Sequence, residues 1–235
     1  MNLILLFDSD FISENTVKIT GRRAEHVIKV HKAQIGDLLT TGLLNGKTGK
    51  GLLLSMDKES VTLEVNLTDS PPAPLPLTLI LALPRPRMLG RTLQHISTLG
   101  VKKLILLNTK RVEKSYWMSP VLAEDKVQEQ LILGLEQAKD TVLPDIILEK
   151  QFRPFVEDRL PEICQGTLGL VAHPGVPEAC PRGISEPTTL AIGPEGGFIP
   201  YEIEKLSEAG LAPVHMGERI MRVETAVTAL LARLF

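Results

Sequence analysis

Between Ser70 and Pro76 the chain reads Ser-Pro-Pro-Ala-Pro-Leu-Pro, four prolines in seven positions. Proline fixes φ and lacks the N–H that a helix or a central strand needs, so no regular element runs through this stretch. Such a segment is semi-rigid and reads as a linker, 71–76, between two domains, 1–70 and 77–235. The hydrophobic pattern changes on crossing it. Before it, Asn2–Phe7, Leu38–Leu43, Lys50–Met56 and Val61–Leu67 are short apolar or β-branched runs, and Asn45-Gly46 supplies hairpin turn chemistry. With a short helix from Thr20 to Val30, closed by the Gly36-Asp37 turn, this predicts a small barrel or sandwich with one helical insertion.

After Pro76, compact apolar runs at Leu77–Leu83, Lys103–Leu107, Asp145–Leu148, Leu168–Ala172 and Thr189–Ile192 alternate with helical patterns. Those patterns fall at Arg87–Leu99, Pro120–Ala138, Pro154–Cys164, Pro200–Ala209 and Val223–Leu234. Strands alternating with helices predict an α/β domain with a mostly parallel sheet covered on both faces. Hydrophobic residues make up 43% of the 235, enough to build cores and to exclude a disordered chain. No apolar run approaches the roughly 20 residues of a membrane span. The N-terminus has no basic lead and no small-residue cleavage site, so it reads as a strand rather than a signal peptide, and a cytoplasmic protein is expected.

The net charge of −2 conceals a segregation. Residues 84–118 carry eight Lys/Arg against Glu113 alone, a local +7, whereas residues 119–235 carry 10 basic and 18 acidic groups. The basic block is either a polyanion footprint or a solvated basic face. Tyr116 and Trp117 at its end either stack on bases or pack half-buried. Asn108 is either a base contact or a turn residue. Two cysteines, Cys164 and Cys180, are too few for a disulfide framework. The histidines His26, His31, His95, His173 and His215 show no ligand spacing, so no metal is expected.

Two stretches could carry chemistry. Ile192-Gly193-Pro194-Glu195-Gly196-Gly197-Phe198 follows a buried strand and precedes a helix. Its glycines let the backbone approach a ligand, or they make an unusually tight turn. It lacks the Gly-Lys-Ser/Thr ending of a P-loop and the spacing of a dinucleotide fingerprint, which disfavours a phosphate-handling nucleotide enzyme. The second stretch runs Met216-Gly217-Glu218-Arg219-Ile220-Met221-Arg222-Val223-Glu224-Thr225-Ala226. There Arg222 offers a planar fork for a phosphate or base carbonyl, and Glu224 either takes a proton, orients that arginine or favours the helix N-terminus.

Together these stretches resemble the RsmE family, the 16S ribosomal RNA uridine-N3 methyltransferases of the SPOUT superfamily. The family signature is Gly-Pro-Glu-Gly-Gly followed by Phe or Trp, then Leu-Gly-x-Arg-Ile-Leu-Arg-x-Glu-Thr-Ala. The first is intact at Gly193–Phe198, and the second carries methionine at Met216 and Met221. His26–Val30, Gly36-Asp37, Leu99-Gly100-Val101, Arg111, Glu136-Gln137 and Val142-Leu143-Pro144 also match. His31, His95, Thr98 and Asp140 depart from the family pattern.

The resemblance implies a PUA-like, RNA-binding β-barrel at 1–70 and a SPOUT methyltransferase domain with a C-terminal trefoil knot at 77–235. It implies S-adenosylmethionine as cofactor, held near Ala172, His173, Gly193, Pro194, Glu195, Gly196, Gly197, Met216, Gly217, Ile220 and Met221. It implies catalytic roles for Arg222 and Glu224 and RNA contacts from Arg22, Arg23, Arg85, Arg87, Arg91 and Arg111. A homodimer acting on 16S ribosomal RNA in the small subunit is the expected assembly. The departures leave open a family member with another RNA target, or a catalytically silent RNA-binding or ribosome-assembly protein.

Overall fold

The computed structural model describes residues 2–235. The chain divides into two compact units. One holds residues 1–73 with Ile132–Leu143, and the other holds Pro74–Leu131 with Pro144–Phe235.

In the first unit, β1 (Ile4–Leu6), β2 (Phe11–Ser13), β3 (Thr16–Thr20), β4 (Leu38–Leu43), β5 (Thr48–Met56) and β6 (Ser60–Asp69) form a mixed sheet in the order β1-β4-β5-β6-β3-β2. Only β1–β4 is parallel. The β4–β5 hairpin turns at Asn45, whose φ of 58° asparagine tolerates better than most residues. The strands at the two ends of the sheet, β1 and β2, are neighbours in sequence, joined by one 3₁₀ turn at Asp8–Asp10. Chain continuity therefore rolls the sheet around its apolar face. Ile4, Leu6, Val17, Ile19, Leu53, Val61 and Leu63 fill the core, with Ala24 and Val27 from the helical insertion.

That insertion is α1 (Gly21–Glu25) continued by a π-helical turn, His26–His31, which Lys32 ends in the left-handed region at φ 51°. The Thr20–Val30 helix is thus present with a change of pitch inside it. Strands β2 and β3 were not anticipated.

The second unit begins with β7 (Leu77–Ala82), α2 (Pro86–Thr98), β8 (Lys103–Leu107), the first half of α3 (Glu124–Ala138), whose residues from Ile132 on belong to the first unit, and β9 (Asp145–Glu149). It continues with α4 (Phe152–Pro154), a π-helical turn (Phe155–Arg159), α5 (Leu160–Cys164), β10 (Leu168–Ala172), β11 (Thr188–Ile192), α6 (Pro200–Glu208), β12 (Ala212–Val214) and α7 (Val223–Leu234). Helix α3 is shorter than expected because a separate 3₁₀ turn, Pro120–Leu122, precedes it.

All six strands are parallel, in the order β12-β10-β11-β7-β8-β9. The expected parallel α/β sheet is present. One face packs Ile80, Ile105, Val171 and Ala191 against Phe155 of the π-helical turn, Leu160 of α5 and Leu206 of α6. Helices α2 and α7 pack against each other, and α7 also meets β11. The chain runs outward from β7 to β9, then crosses to the far side for β10 and inserts β11 between β10 and β7. Such reversals of strand order leave crevices at the C-terminal strand ends.

Candidate functional site

A cavity of about 280 Å³ opens at those ends. Its floor is the last residue of three strands: Ala172 of β10, Ile192 of β11 and Val214 of β12. Its walls come from the segments that follow them, His173-Pro174, Gly193–Gly197 and His215–Met221, and from α7 at Val223, Ala226 and Leu230. All eleven residues named from the sequence as cofactor contacts line this cavity. The apolar groups suit a flat or aliphatic ligand part, and Glu195, Arg219, His173 and His215 are its ionisable lining. Burial holds the His173 imidazole below its ordinary value, which favours the uncharged ring.

The glycines have separate reasons. A Cβ on Gly193 would lie 3.1 Å from the backbone nitrogen of Phe198, so a side chain there would require the folded-back loop to give by a few tenths of an ångström. A Cβ on Gly196 would lie 2.9 Å from Cδ of Arg111. Gly217 has φ 106°, a conformation L-residues rarely adopt, yet the place its Cβ would take is open space.

The loop is held from outside by the basic block. Arg111 Nη1 donates to the Gly196 carbonyl. The Arg85 backbone N–H donates to Glu195 Oε1 at 3.2 Å, with the Arg85 guanidinium Nε 3.8 Å from the same oxygen. Beneath them, Glu202 is 2% exposed and its carboxylate accepts two backbone N–H groups, from Lys110 at 2.6 Å and Ile199 at 2.9 Å. Sequence reading missed Glu202. Its signal was present as an acid at the third position of a Pro-initiated helix, a place where it caps the first turn.

The remaining expected site residues fall as follows. Arg222 is exposed at the residue preceding α7, and Glu224 is half-buried in its first turn; neither lines the cavity, and the arginine that does is Arg219. Arg87 and Arg91 are exposed on α2. In the first unit, Arg22 makes a bidentate pair with Glu136 at 2.8 and 2.9 Å. Arg23 faces inward, bidentate to Asp10 at 2.5 and 2.8 Å and lying 4.6 Å above the Phe7 ring. Asn108 and Trp117 pair, the indole N–H donating to Asn108 Oδ1 at 2.8 Å. Among the described residues no group of three or more His, Cys, Asp or Glu could hold a metal, and no helix is long and apolar enough to cross a membrane.

A parallel sheet with a glycine-walled cavity at its reversal point defines an α/β protein built to take a small ligand into backbone loops. The comparisons narrow that class. Residues 71–235 match a family model described as an RNA methyltransferase domain. Over 96% of this chain and 88% of the relative, the sequence is 30% identical to ribosomal RNA small subunit methyltransferase E of Treponema pallidum. It is 24% identical to methyltransferase E 1 of Borreliella burgdorferi over 97% of this chain and 95% of the relative. The fold is similar to the crystal structure of ribosomal RNA small subunit methyltransferase E from Neisseria gonorrhoeae bound to S-adenosyl methionine, with TM-score 0.74 and 23% identity over 98% of this chain and 95% of that one. The chain belongs to the RNA methyltransferase family, in its ribosomal RNA small subunit methyltransferase E branch.

Proposed function

We propose that this protein transfers a methyl group from S-adenosylmethionine to N3 of a uridine in 16S ribosomal RNA of the small subunit. It would act in the cytoplasm, as a homodimer. The observation that carries this reading is the convergence of three separate segments, 172–174, 192–197 and 214–221, on one cavity. The names of the curated relatives supply the substrate class.

The residues present fit the cofactor. Four glycines open the backbone to close approach, aliphatic groups from Ile192, Val214 and Leu230 offer a surface for a purine, and Glu195 offers a negative charge to a cationic ligand. When bound, the sulfonium supplies an electrophilic methyl for in-line displacement. The protein's part is then to hold N3 of the uracil in line, remove its proton and stabilise charge on the flanking carbonyl oxygens. Arg222, exposed before α7, is assigned the clamp on a uracil carbonyl or neighbouring phosphate. Glu224, the residue next to the cavity-lining Val223, is assigned the proton. Arg85, Arg87 and Arg91 present charge to the RNA backbone.

We assign the first unit the PUA-like, RNA-binding role, supported by the covalent joining of its sheet ends at Asp8–Asp10. The knot is supported by the segment after β10. Its residues 178–180 bond to His215 on both sides, and Gly183 and Ile184 donate to the carbonyls of Arg233 and Leu234 at the end of α7.

The test is methyl transfer from labelled S-adenosylmethionine to assembled small subunits and to naked 16S RNA, both from cells lacking the gene, with the product nucleoside identified. N3-methyluridine is expected, with Arg222→Ala lowering kcat by about 100-fold or more while cofactor binding persists. Cofactor binding without transfer to either RNA would instead leave a family member with another RNA target or a silent RNA-binding protein.

A further inference from the structure

His215 belongs to no signature motif, yet it sits where the chain turns from β12 into the cavity wall. Its backbone is held on both sides. The His215 N–H donates to the Glu178 carbonyl at 2.9 Å, and its carbonyl accepts the Cys180 N–H at 2.9 Å, which makes a parallel bridge with Ala179. From this fixed base the imidazole reaches forward two residues, and Nδ1 accepts the backbone N–H of Gly217 at 2.9 Å. A side-chain acceptor bonded to the N–H two residues on is the geometry of an Asx-turn, made here by a histidine.

The bond has a structural consequence. The Gly217 N–H and the Met216 carbonyl belong to one planar peptide and point in opposite directions, so fixing the first fixes the second. Gly217 at φ 106° is free of side-chain restraint, and no packing surrounds the place its Cβ would take. The imidazole is therefore the restraint on this peptide that the structure supplies. Both residues, with His215 itself, line the cavity.

We propose that His215 is a positioning residue for the ligand cavity. As the neutral Nε2–H tautomer it locks the Met216–Gly217 peptide in one orientation and so sets the affinity for the ligand bound there. The ligand's identity rests on the methyltransferase reading; the lock itself does not. Asparagine carries its Oδ1 at the place of histidine Nδ1, so H215N keeps the acceptor and H215A removes it.

The experiment has two arms. In the first, ¹⁵N NMR of the full chain without cofactor reads the lock directly. The imidazole is expected as the Nε2–H tautomer, and the Gly217 amide is expected to exchange slowly in wild type and H215N and fast in H215A. A Gly217 amide as labile in wild type as in H215A overturns the proposal, and so does an Nδ1–H tautomer in wild type. In the second arm, calorimetry with S-adenosylmethionine is expected to show H215A weaker by about three- to tenfold and H215N within about twofold of wild type, the worth of one hydrogen bond. The loss should fall on KM for the cofactor rather than on kcat. Equal weakening in H215N and H215A overturns the positioning role. Wild-type protein that binds no S-adenosylmethionine would fail the methyltransferase reading instead, leaving the first arm to decide the lock.

Discussion

At the scale of single residues, the cavity depends on side chains that never enter it. Glu202 is the clearest case. A buried carboxylate is costly unless its oxygens are bonded, and this one accepts the first free N–H of α6 and the N–H of Lys110. One group thereby caps a helix and pins the turn from which Arg111 reaches Gly196. Removing it strands two backbone donors. Glu202→Ala is expected to cost about 2–4 kcal/mol in urea unfolding, and Glu202→Gln, which keeps one acceptor oxygen, about half as much. A loss under about 0.5 kcal/mol for the alanine variant would mean that water replaces the carboxylate and the pin does not exist. The eleven cavity residues were named through the resemblance to a known family; the residues by themselves marked only two glycine-bearing stretches where the backbone could approach a ligand. The Lys110–Glu202 bond was not legible, because its two residues are 92 apart in sequence and only the fold brings them together. Arg23, expected from the resemblance to touch RNA, is instead largely buried here against Asp10.

At the scale of elements, strands of five or six apolar residues were found almost to the residue, as at Lys103–Leu107 and Leu168–Ala172. Those missed were short or mixed in polarity. Strands β2 and β12 have three residues each, and β12 contains Pro213, which only an edge position tolerates. Strand β3, Thr16–Thr20, alternates polar and apolar side chains but is only five residues long. The turn that joins the end strands β1 and β2 is tied to α1 by the Asp10–Arg23 ion pair. Asp10 also accepts the Phe7 N–H at 2.7 Å, and Arg23 donates to the Leu5 carbonyl at 2.8 Å, so the pair ties β1, the 3₁₀ turn and α1 together. Both side chains are largely buried, and truncating one leaves the other charge without its partner. Asp10→Ala and Arg23→Ala are each expected to destabilise by about 3 kcal/mol, and the double variant by clearly less than their sum. Additive losses in chemical denaturation would show that the two residues act separately and that the turn is held to α1 by something else.

At the scale of the whole molecule, the proline run divides the sequence, but the compact units do not follow chain order. Residues 132–143, from the middle of the chain, belong with residues 1–73. The bonds within that unit say why. Leu135 packs with Leu3 and Leu5, with Ile132 and Leu143 around them. The Glu136 carbonyl accepts the N–H groups of Asn2 and Leu3, and its carboxylate, 1% exposed, holds Arg22. Thr141 donates to the Gly46 carbonyl at 2.6 Å and accepts the Asn45 N–H at 2.8 Å, so it closes the β4–β5 hairpin. A fragment ending at Ala73 keeps every strand of its sheet but loses this cover. Exposing Leu3 and Leu5 costs about 1.5–3 kcal/mol each, before the hydrogen bonds are counted. That is a large share of what a domain of this size has to spare. Residues 1–73 alone are therefore expected to show no cooperative urea transition by circular dichroism, and a peptide spanning 124–143 added in trans should restore one. A sigmoidal transition in the bare fragment would mean that the rolled sheet is self-sufficient and that 132–143 only decorates it. Restoration by the peptide, lost again when the peptide carries Leu135→Ala, would show that the first unit is completed from the middle of the chain.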